Sequence, residues 1–384
     1  HFSKVLTYRQ KFASEIEDGA AVYECYSTPE RYAKNISNEA FMEESIEETV
    51  SLPSYALLPA PEPRYVTNNY VRWLHNVDLK GSFPIILTKK KEFVIDSIQY
   101  SKKSNRLRGQ WVANSEIALS NLLKARRWQP YPEKFERPLV VLFSWYNHYG
   151  HWVPEHLLKL KSIENIDKEL MNDAAILIEK NAPHWKREFL YRLGWKESNI
   201  LEWKYRSMRV ENLIVPSYPV PSYSGFIWLK KNLFPYGIKK TGKDLIYISR
   251  KNCGKRRVLN EAELMEHLAV LGFCSICPEE LTLDEQAQYF HSAEVIVGPH
   301  GSGFTNLIFS KNAHVIELHG RSVKLGFCAL SRCMGLSYTP ICSKSGASWQ
   351  SDFIVDVELV VEITKNILKK RFLGDHPSGN CPAF

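Results

Sequence analysis

Two arginines with a glycine-rich turn in the second half of the chain, and a histidine–glutamate pair in the first, are the residues whose types and spacing can do chemistry. The turn is Gly298-Pro299-His300-Gly301-Ser302-Gly303, set between the β-branched run Val295-Ile296-Val297 and an apolar turn of helix. Glycines let backbone N–H groups approach a phosphate, and the positive end of a following helix favours negative charge. The spacing is not G-x-G-x-x-G, so the dinucleotide fingerprint does not apply. Taken alone, the turn is either a phosphate cradle or a tight β–α connection. Arg250 follows the apolar run 245–249, Arg256 and Arg257 lie in the next loop, and Glu317 sits in the run Val315-Ile316-Glu317-Leu318. Forked guanidinium groups with backbone donors suit a diphosphate, and a carboxylate suits a ribose diol. Each residue also has a plain reading as a solvated loop, a cap or a tight turn. Their convergence on neighbouring strand ends is what favours a nucleotide.

In the first half, Ser144-Trp145-Tyr146-Asn147-His148-Tyr149-Gly150-His151-Trp152 follows the fully apolar run 139–143. His151 and Glu155 stand four apart and share a face if the helix starts by Gly150. A histidine held by a carboxylate makes a general base. Spacing alone equally allows a histidine packed under Trp152. A zinc pair of His148 and His151 lacks a locatable third ligand.

The elements that must position these residues alternate strand and helix. Runs at 84–87, 139–143, 174–178, 212–215, 244–249, 273–276, 295–297, 315–318 and 336–341 read as strands. The continuous ones are typical of parallel strands buried on both faces. Helical spacing appears at 117–123 behind Ser115, and at 157–163, 185–193, 261–271, 283–291, 323–332 and 356–372. Asn260 with Glu263, and Thr282 with Glu285, are helix-start signatures. The proline-rich stretch 216–222 reads as a linker. The pattern implies an α/β fold of two Rossmann-like doubly wound domains. An amino-terminal extension covers 1–80, a first domain 81–220 and a second 221–384.

The extension holds a polar helix near 38–50, a proline-rich break at 53–63 and one glycosylation sequon at Asn35. Net charge is +8, from 50 Lys+Arg against 42 Asp+Glu, an excess that permits an anionic ligand or a membrane surface but reads as solvated faces. The same holds for the basic stretch 89–108. Aromatic residues are not interleaved with basic ones in the manner of a nucleic-acid stacking surface. No apolar run reaches bilayer-spanning length, and the first residues lack a signal peptide's apolar core. Of eight cysteines, Cys274-x-x-Cys277 lies in a strand-like run rather than at a helix start, and no second C-x-x-C completes a zinc site with Cys328 and Cys333, so the cysteines read as unpaired small hydrophobes in a reducing compartment.

An ordered set of motifs makes a resemblance specific. Tyr247-Ile248-Ser249-Arg250, Arg256, Asn260-Glu261, Gly298 through Phe304-Thr305-Asn306, and Val315-Ile316-Glu317-Leu318 resemble glycosyltransferase family 61. Asn147-x-x-x-His151-Trp152 is similar to that family's upstream N-x-x-H-W motif, with one residue more between Asn and His. Ser302 stands where the family commonly has Ala. The resemblance covers roughly 140–318, and the first 80 residues match nothing nameable.

It implies a GT-B architecture, with two domains facing across a cleft, and inverting sugar transfer from a nucleotide-diphosphate donor of UDP-sugar type. Arg250, Arg256, His300, Gly301, Ser302, Gly303, Asn306 and Glu317 would bind the nucleotide sugar, while His151 with Glu155 would serve catalysis. No cofactor is expected, and no metal, since no Asp-x-Asp occurs in the chain. The implied partners are a nucleotide-sugar donor and a glycan acceptor such as a capsular or surface polysaccharide, with peripheral membrane association and no nucleic acid. A bacterial cytoplasmic location is expected; a luminal protein O-glycosyltransferase fragment is the alternative, and a nucleotide-sugar-binding protein without catalysis is a third reading.

Overall fold

The computed structural model describes residues 71–87 and 134–372, with 145, 165, 167, 205–206, 217–221, 322 and 325 excepted. The expected helices at 38–50 and 117–123, the proline-rich break at 53–63, the sequon, the basic stretch 89–108, Cys25 and Cys381 lie outside the described residues.

The first sheet opens with β1 (Val71–Lys80) and β2 (Ile85–Leu87), an antiparallel pair. It continues with β3 (Leu139–Val141), β4 (Ala175–Glu179), β5 (Ile200–Trp203) and β6 (Ser207–Pro216). The order is β2-β1-β6-β3-β4-β5. The four strands β6, β3, β4 and β5 are parallel, whereas β1 runs antiparallel along the length of β6, from Val71 opposite Pro216 to Lys80 opposite Ser207. Residues 71–80, read from sequence as extension, are therefore built into this sheet. The second sheet comprises β7 (Leu245–Ile248), β8 (Cys274–Ile276), β9 (Val295–Pro299), β10 (His314–His319) and β11 (Ser337–Cys342). All five strands are parallel, in the order β11-β10-β9-β7-β8. Counted from its own first strand this is the 2-1-3-4-5 doubly wound order, which reverses between β7 and β9. A crevice opens at the carboxyl ends on either side of such a reversal. Gly298 lets the two strands meet there: a Cβ on it would stand 2.8 Å from Ile248 Cβ and 3.0 Å from Ile248 O.

Helices cover both sheets. The helix α1 spans 149–163 and is not regular throughout, because Trp152–Leu157 is wound as a π-turn. Pro154 is the cause in sequence: it has no N–H to donate one turn back, so the ladder widens around it. After α2 (Lys168–Asn172) and α3 (His184–Arg192), α4 (Tyr223–Leu233) begins at Ser222, whose hydroxyl accepts from Gly225 N at 3.2 Å. That helix was hidden in sequence behind the prolines of 216–221. Then come α5 (Glu261–Val270), α6 (Leu283–Ser292), a 3-10 helix Ser302–Phe309, α7 (Gly326–Cys333) and α8 (Val357–Phe372). Thr282 and Glu285 form the expected capping box of α6. Asn260 precedes α5 as expected, yet its amide bridges to the backbone of Val355 at 3.0 Å instead of capping the helix.

One apolar cluster runs through both halves. It takes in Val140, Trp152 and Leu158 from the first, Phe226 and Leu229 of α4, and Ile248, Phe304 and Phe309 from the second. Separate clusters fill the other face of each sheet. Among the described residues no helix is long and apolar enough to cross a membrane, and the six described cysteines are unpaired.

Two histidines are folded in their neutral form. His156 is fully enclosed, and burial pushes its pKa well below the ordinary value. His314 hydrogen-bonds Thr339 Oγ1 at 2.8 Å, and burial, then Arg371 and Lys370, lower it from 6.5 to about 4. The unfolded chain therefore binds protons that the folded chain refuses, so stability is full above 6.5 and is lost as pH falls toward about 4. The melting temperature should drop across that window. His314→Gln, which keeps a donor for Thr339 without titrating, should flatten the drop by up to about 3 kcal/mol. An unchanged slope in the variant would contradict this.

Candidate active site

The site is built where β7 and β9 end. Ser249, buried after β7, donates to Glu261 Oε2 at 3.0 Å and so anchors the start of the following loop to α5. Arg250 projects next. One of its terminal nitrogens donates to Lys255 O at 3.1 Å, and its Nε is buried without a partner. The loop turns back at Arg256, whose φ of 59° lies in the left-handed region that a non-glycine residue adopts at a cost. Its Nε is also buried without a partner, and its guanidinium lies 5.4 Å from the ring centroid of Trp349, which is 38% exposed. Burial, then the charge of Arg250, lowers the pKa of Arg256. Arg257 points elsewhere and clamps Asp352 with bonds of 2.8, 2.9 and 2.6 Å, which fixes the loop that carries Trp349. Two half-buried guanidinium groups are thus held near each other, and among the described residues neither is ion-paired with a carboxylate. Such a pair suits an anion with several oxygens.

The glycine-rich loop closes over Arg250. A Cβ on Gly301 would collide with the Arg250 guanidinium, so only glycine lets the two pack. His300 N donates to Leu318 O at 2.9 Å, tying the loop to β10. The His300 ring is held by Glu317, with Nδ1 2.6 Å from Oε1, while Tyr338 donates to the other carboxylate oxygen at 2.5 Å. Glu317 is 0% exposed, yet its pKa falls to about 2, because hydrogen bonds and charge from His300 and His319 outweigh the burial that pushes it up. It is therefore a buried anion that orients His300. Its sequence reading as a ribose ligand requires an accessible carboxylate, and this one is enclosed.

Ligand atoms of His300, Glu317 and His319 lie within 4.8 Å of one another. The 2.6 Å contact is that of a hydrogen bond and is shorter than the about 3.3 Å between neighbouring ligands of a tetrahedral ion. As folded, the trio is a hydrogen-bonded clamp.

From the first half, the loop after β3 and the start of α1 supply the histidines. His151 Nδ1 lies 2.7 Å from Glu155 Oε1, one turn along the helix, as the spacing predicts. The His151 ring lies 5.1 Å from Tyr146 and 4.6 Å, edge-on, from His148. His148 is exposed to solvent on one side. Partial burial, then His151, Arg256, Lys255 and Lys186, hold it well below the ordinary imidazole range.

The two halves meet at this point. A methyl group on Gly150 would stand 3.1 Å from Ser302 Oγ. Tyr149 donates to Asn306 Oδ1 at 2.5 Å, and Asn306 donates to Gln286 Oε1 at 2.8 Å. Farther out, Arg192 bonds both oxygens of Asp284, at 3.0 and 2.5 Å. Asn306 is 0% exposed and spans the halves, so its place among the expected nucleotide ligands becomes that of a fastener. Of the residues expected from sequence, His151 with Glu155, Arg250 with Arg256 and Gly301, and His300 with Glu317 come together as three groups about one junction. Sequence reasoning passed over Tyr149, Lys186, Gln286 and Trp349. Tyr149 sat inside the quoted motif, while nothing in sequence distinguished the others from surface residues of their type.

Residues 149–316 match the family described as Glycosyltransferase 61. That stretch contains the His151–Glu155 pair, both arginines and the glycine-rich loop, and the resemblance carried by the motif order holds across it. Over 105 residues the chain is 29% identical to the EGF domain-specific O-linked N-acetylglucosamine transferase of Gallus gallus, an alignment that takes in 26% of this chain and 20% of that relative. The chain thus spans about a fifth of the length of the curated relative it matches.

The contact between Arg250 and Gly301 is open to a direct check. Gly301→Ala should push the guanidinium aside and weaken binding of inorganic pyrophosphate about tenfold, the loss of roughly one charge-assisted hydrogen bond. Isothermal titration would read it, and equal affinities would show that the contact does not shape the anion site.

Proposed function

We propose that this protein is an inverting glycosyltransferase that moves a sugar from a nucleoside-diphosphate donor, of UDP-sugar type, to an acceptor hydroxyl. The observation that carries the reading is the juxtaposition, at a strand-order reversal, of the Arg250–Arg256 couple, which no carboxylate pairs among the described residues, with the His151–Glu155 pair of the other half. On this reading the second half holds the nucleotide, the first half the acceptor, and the arrangement is of GT-B type. The matched family and the named transferase relative support the reaction class.

The chemistry follows from the groups. Glu155 accepts the Nδ1 proton of His151, which leaves Nε2 with a free lone pair and stabilises the imidazolium that forms. His151 Nε2 takes the acceptor hydroxyl's proton as its oxygen attacks the anomeric carbon from the face opposite the diphosphate. The bond from that carbon to the diphosphate oxygen breaks, and the leaving oxygen's negative charge is met by Arg250 and Arg256. Fixed charges aimed at a developing anion lower the barrier without reorganisation. They can replace a divalent ion, and the sequence has no Asp-x-Asp to hold one. Burial, then the charges of His151 and Arg256, hold His148 at about 4, too weak a base for work near neutral pH. The base assigned here is His151, the histidine that Glu155 holds.

The acceptor is a hydroxyl of a glycan or of a protein. The relative's name, which specifies an EGF domain, favours the protein hydroxyl.

His151→Ala should lower turnover by a factor of about 100 to 10,000, the usual loss for a general base, with nucleotide affinity unchanged. Transfer and hydrolysis assays with UDP-sugars measure it. Should His151→Ala keep near-normal turnover while Glu155→Gln is dead, the base is Glu155. A wild-type protein that binds the nucleotide sugar yet neither transfers nor hydrolyses it would leave a binding protein without catalysis.

A further inference from the structure

Lys186, on α3, is buried to 1% exposure, and nothing in the proposed chemistry uses it. Its ammonium has three hydrogens and three acceptors: Asn147 O at 2.7 Å, Asn147 Oδ1 at 2.8 Å, and Glu179 at the end of β4. The same nitrogen lies 4.7 Å from the ring centroid of Trp152 and 5.3 Å from that of Trp185. Burial lowers its pKa, opposed by the bond and charge of Glu179. A charge this enclosed survives only where its partners are well placed, and removing one partner costs far more than an exposed ion pair would.

Those partners are not scattered. Asn147 and Trp152 bracket His148 and His151, so one ammonium grips the turn at both ends. Asn147 and Trp152 are also the outer members of the Asn147-x-x-x-His151-Trp152 motif, and Lys186 gives them a physical task. The adjacent Trp185 packs edge-on against Tyr149, at 5.3 Å, and Tyr149 is the residue that bonds Asn306 across the junction. From the other side, the buried His156 ring bonds Tyr146 O at 2.8 Å.

We propose that Lys186 is a positioning residue: it seats Asn147 and Trp152, and so fixes the His148–His151 turn against the Ser302 loop of the other half. The functional consequence rests on the transferase reading above; the geometric one does not. Without the ammonium, two oxygens of Asn147 lose their donor, the turn can pull away from α3, and the His151 ring loses the orientation that its bond to Glu155 requires. A shift of about 1 Å in a reacting group can cost roughly a hundredfold in rate.

The test uses the full chain and two readouts. In Lys186→Met, kcat should fall about a hundredfold while KM for the UDP-sugar changes little, the mark of an interaction that matters in the transition state. Nitrogen NMR of the His151 ring should lose the single Nδ1–H form that Glu155 enforces. In Lys186→Ala, propylammonium should restore part of kcat and propanol should not, since the space between two indoles attracts a cation. A folded Lys186→Met with an unchanged His151 ring spectrum, or equal rescue by propanol, would overturn the proposal. If Lys186→Met fails to fold, Asn147→Ala removes one acceptor, spares the main chain, and is judged by the same ring spectrum. That spectrum needs no turnover, so a wild-type protein that transfers no sugar would sink the transferase reading while leaving this test intact.

Discussion

Arg250 and Arg256 repel each other, and the rest of the site is arranged to hold them together all the same. Charge repulsion between guanidinium groups is weak in water but grows as solvent is excluded, and both are half buried. The fold keeps Arg250 in place by packing it on Gly301, where any side chain would collide, and keeps Arg256 in place by a left-handed backbone turn beside Trp349. Arg257, next in sequence, bonds Asp352 and so secures the Trp349 loop. Stability is spent on keeping two cations adjacent, which makes sense for a protein whose ligand brings the compensating anion.

The second dependence is on the junction between the halves. Neither sheet alone forms the site, because the base candidate and the anion site come from different sheets. What sets their distance is a short series of contacts: Gly150 against Ser302, Tyr149 on Asn306, Asn306 on Gln286, and the shared apolar cluster through Trp152, Phe226 and Phe304. The π-turn forced by Pro154 begins directly after His151. Local irregularity of this kind often marks functional positions in helices.

Much of this could be read from sequence, and the parts that could not share a physical reason. β3, β4, β7 and β9 are apolar runs that are almost wholly buried, so composition alone revealed them, and four-residue spacing placed Glu155 under His151. β1 went unread because an antiparallel strand with Arg72, His75, Asn76 and Asp78 has no continuous apolar run, and its pairing is interrupted at Asn76, where φ is 53°. The 3-10 winding of Ser302–Phe309 looks like α-helix in sequence. Long-range pairings were invisible: Asn260 with Val355, Glu317 with His300, Lys186 with Asn147. Residue type shows that a carboxylate or an ammonium is present, whereas only the fold shows whether it faces a ligand or a neighbour.

On the proposed reading, Arg250 and Arg256 hold the diphosphate without help from a metal. Titration calorimetry of UDP into the wild-type chain and into Arg250→Ala, both in EDTA, tests it most directly. Expected are one binding site in the wild type and an affinity about a hundredfold lower in the variant, for the loss of about 2–3 kcal/mol from a partly buried arginine–phosphate contact. Equal affinity in the two proteins, or wild-type binding that vanishes in EDTA and returns with manganese, would contradict it.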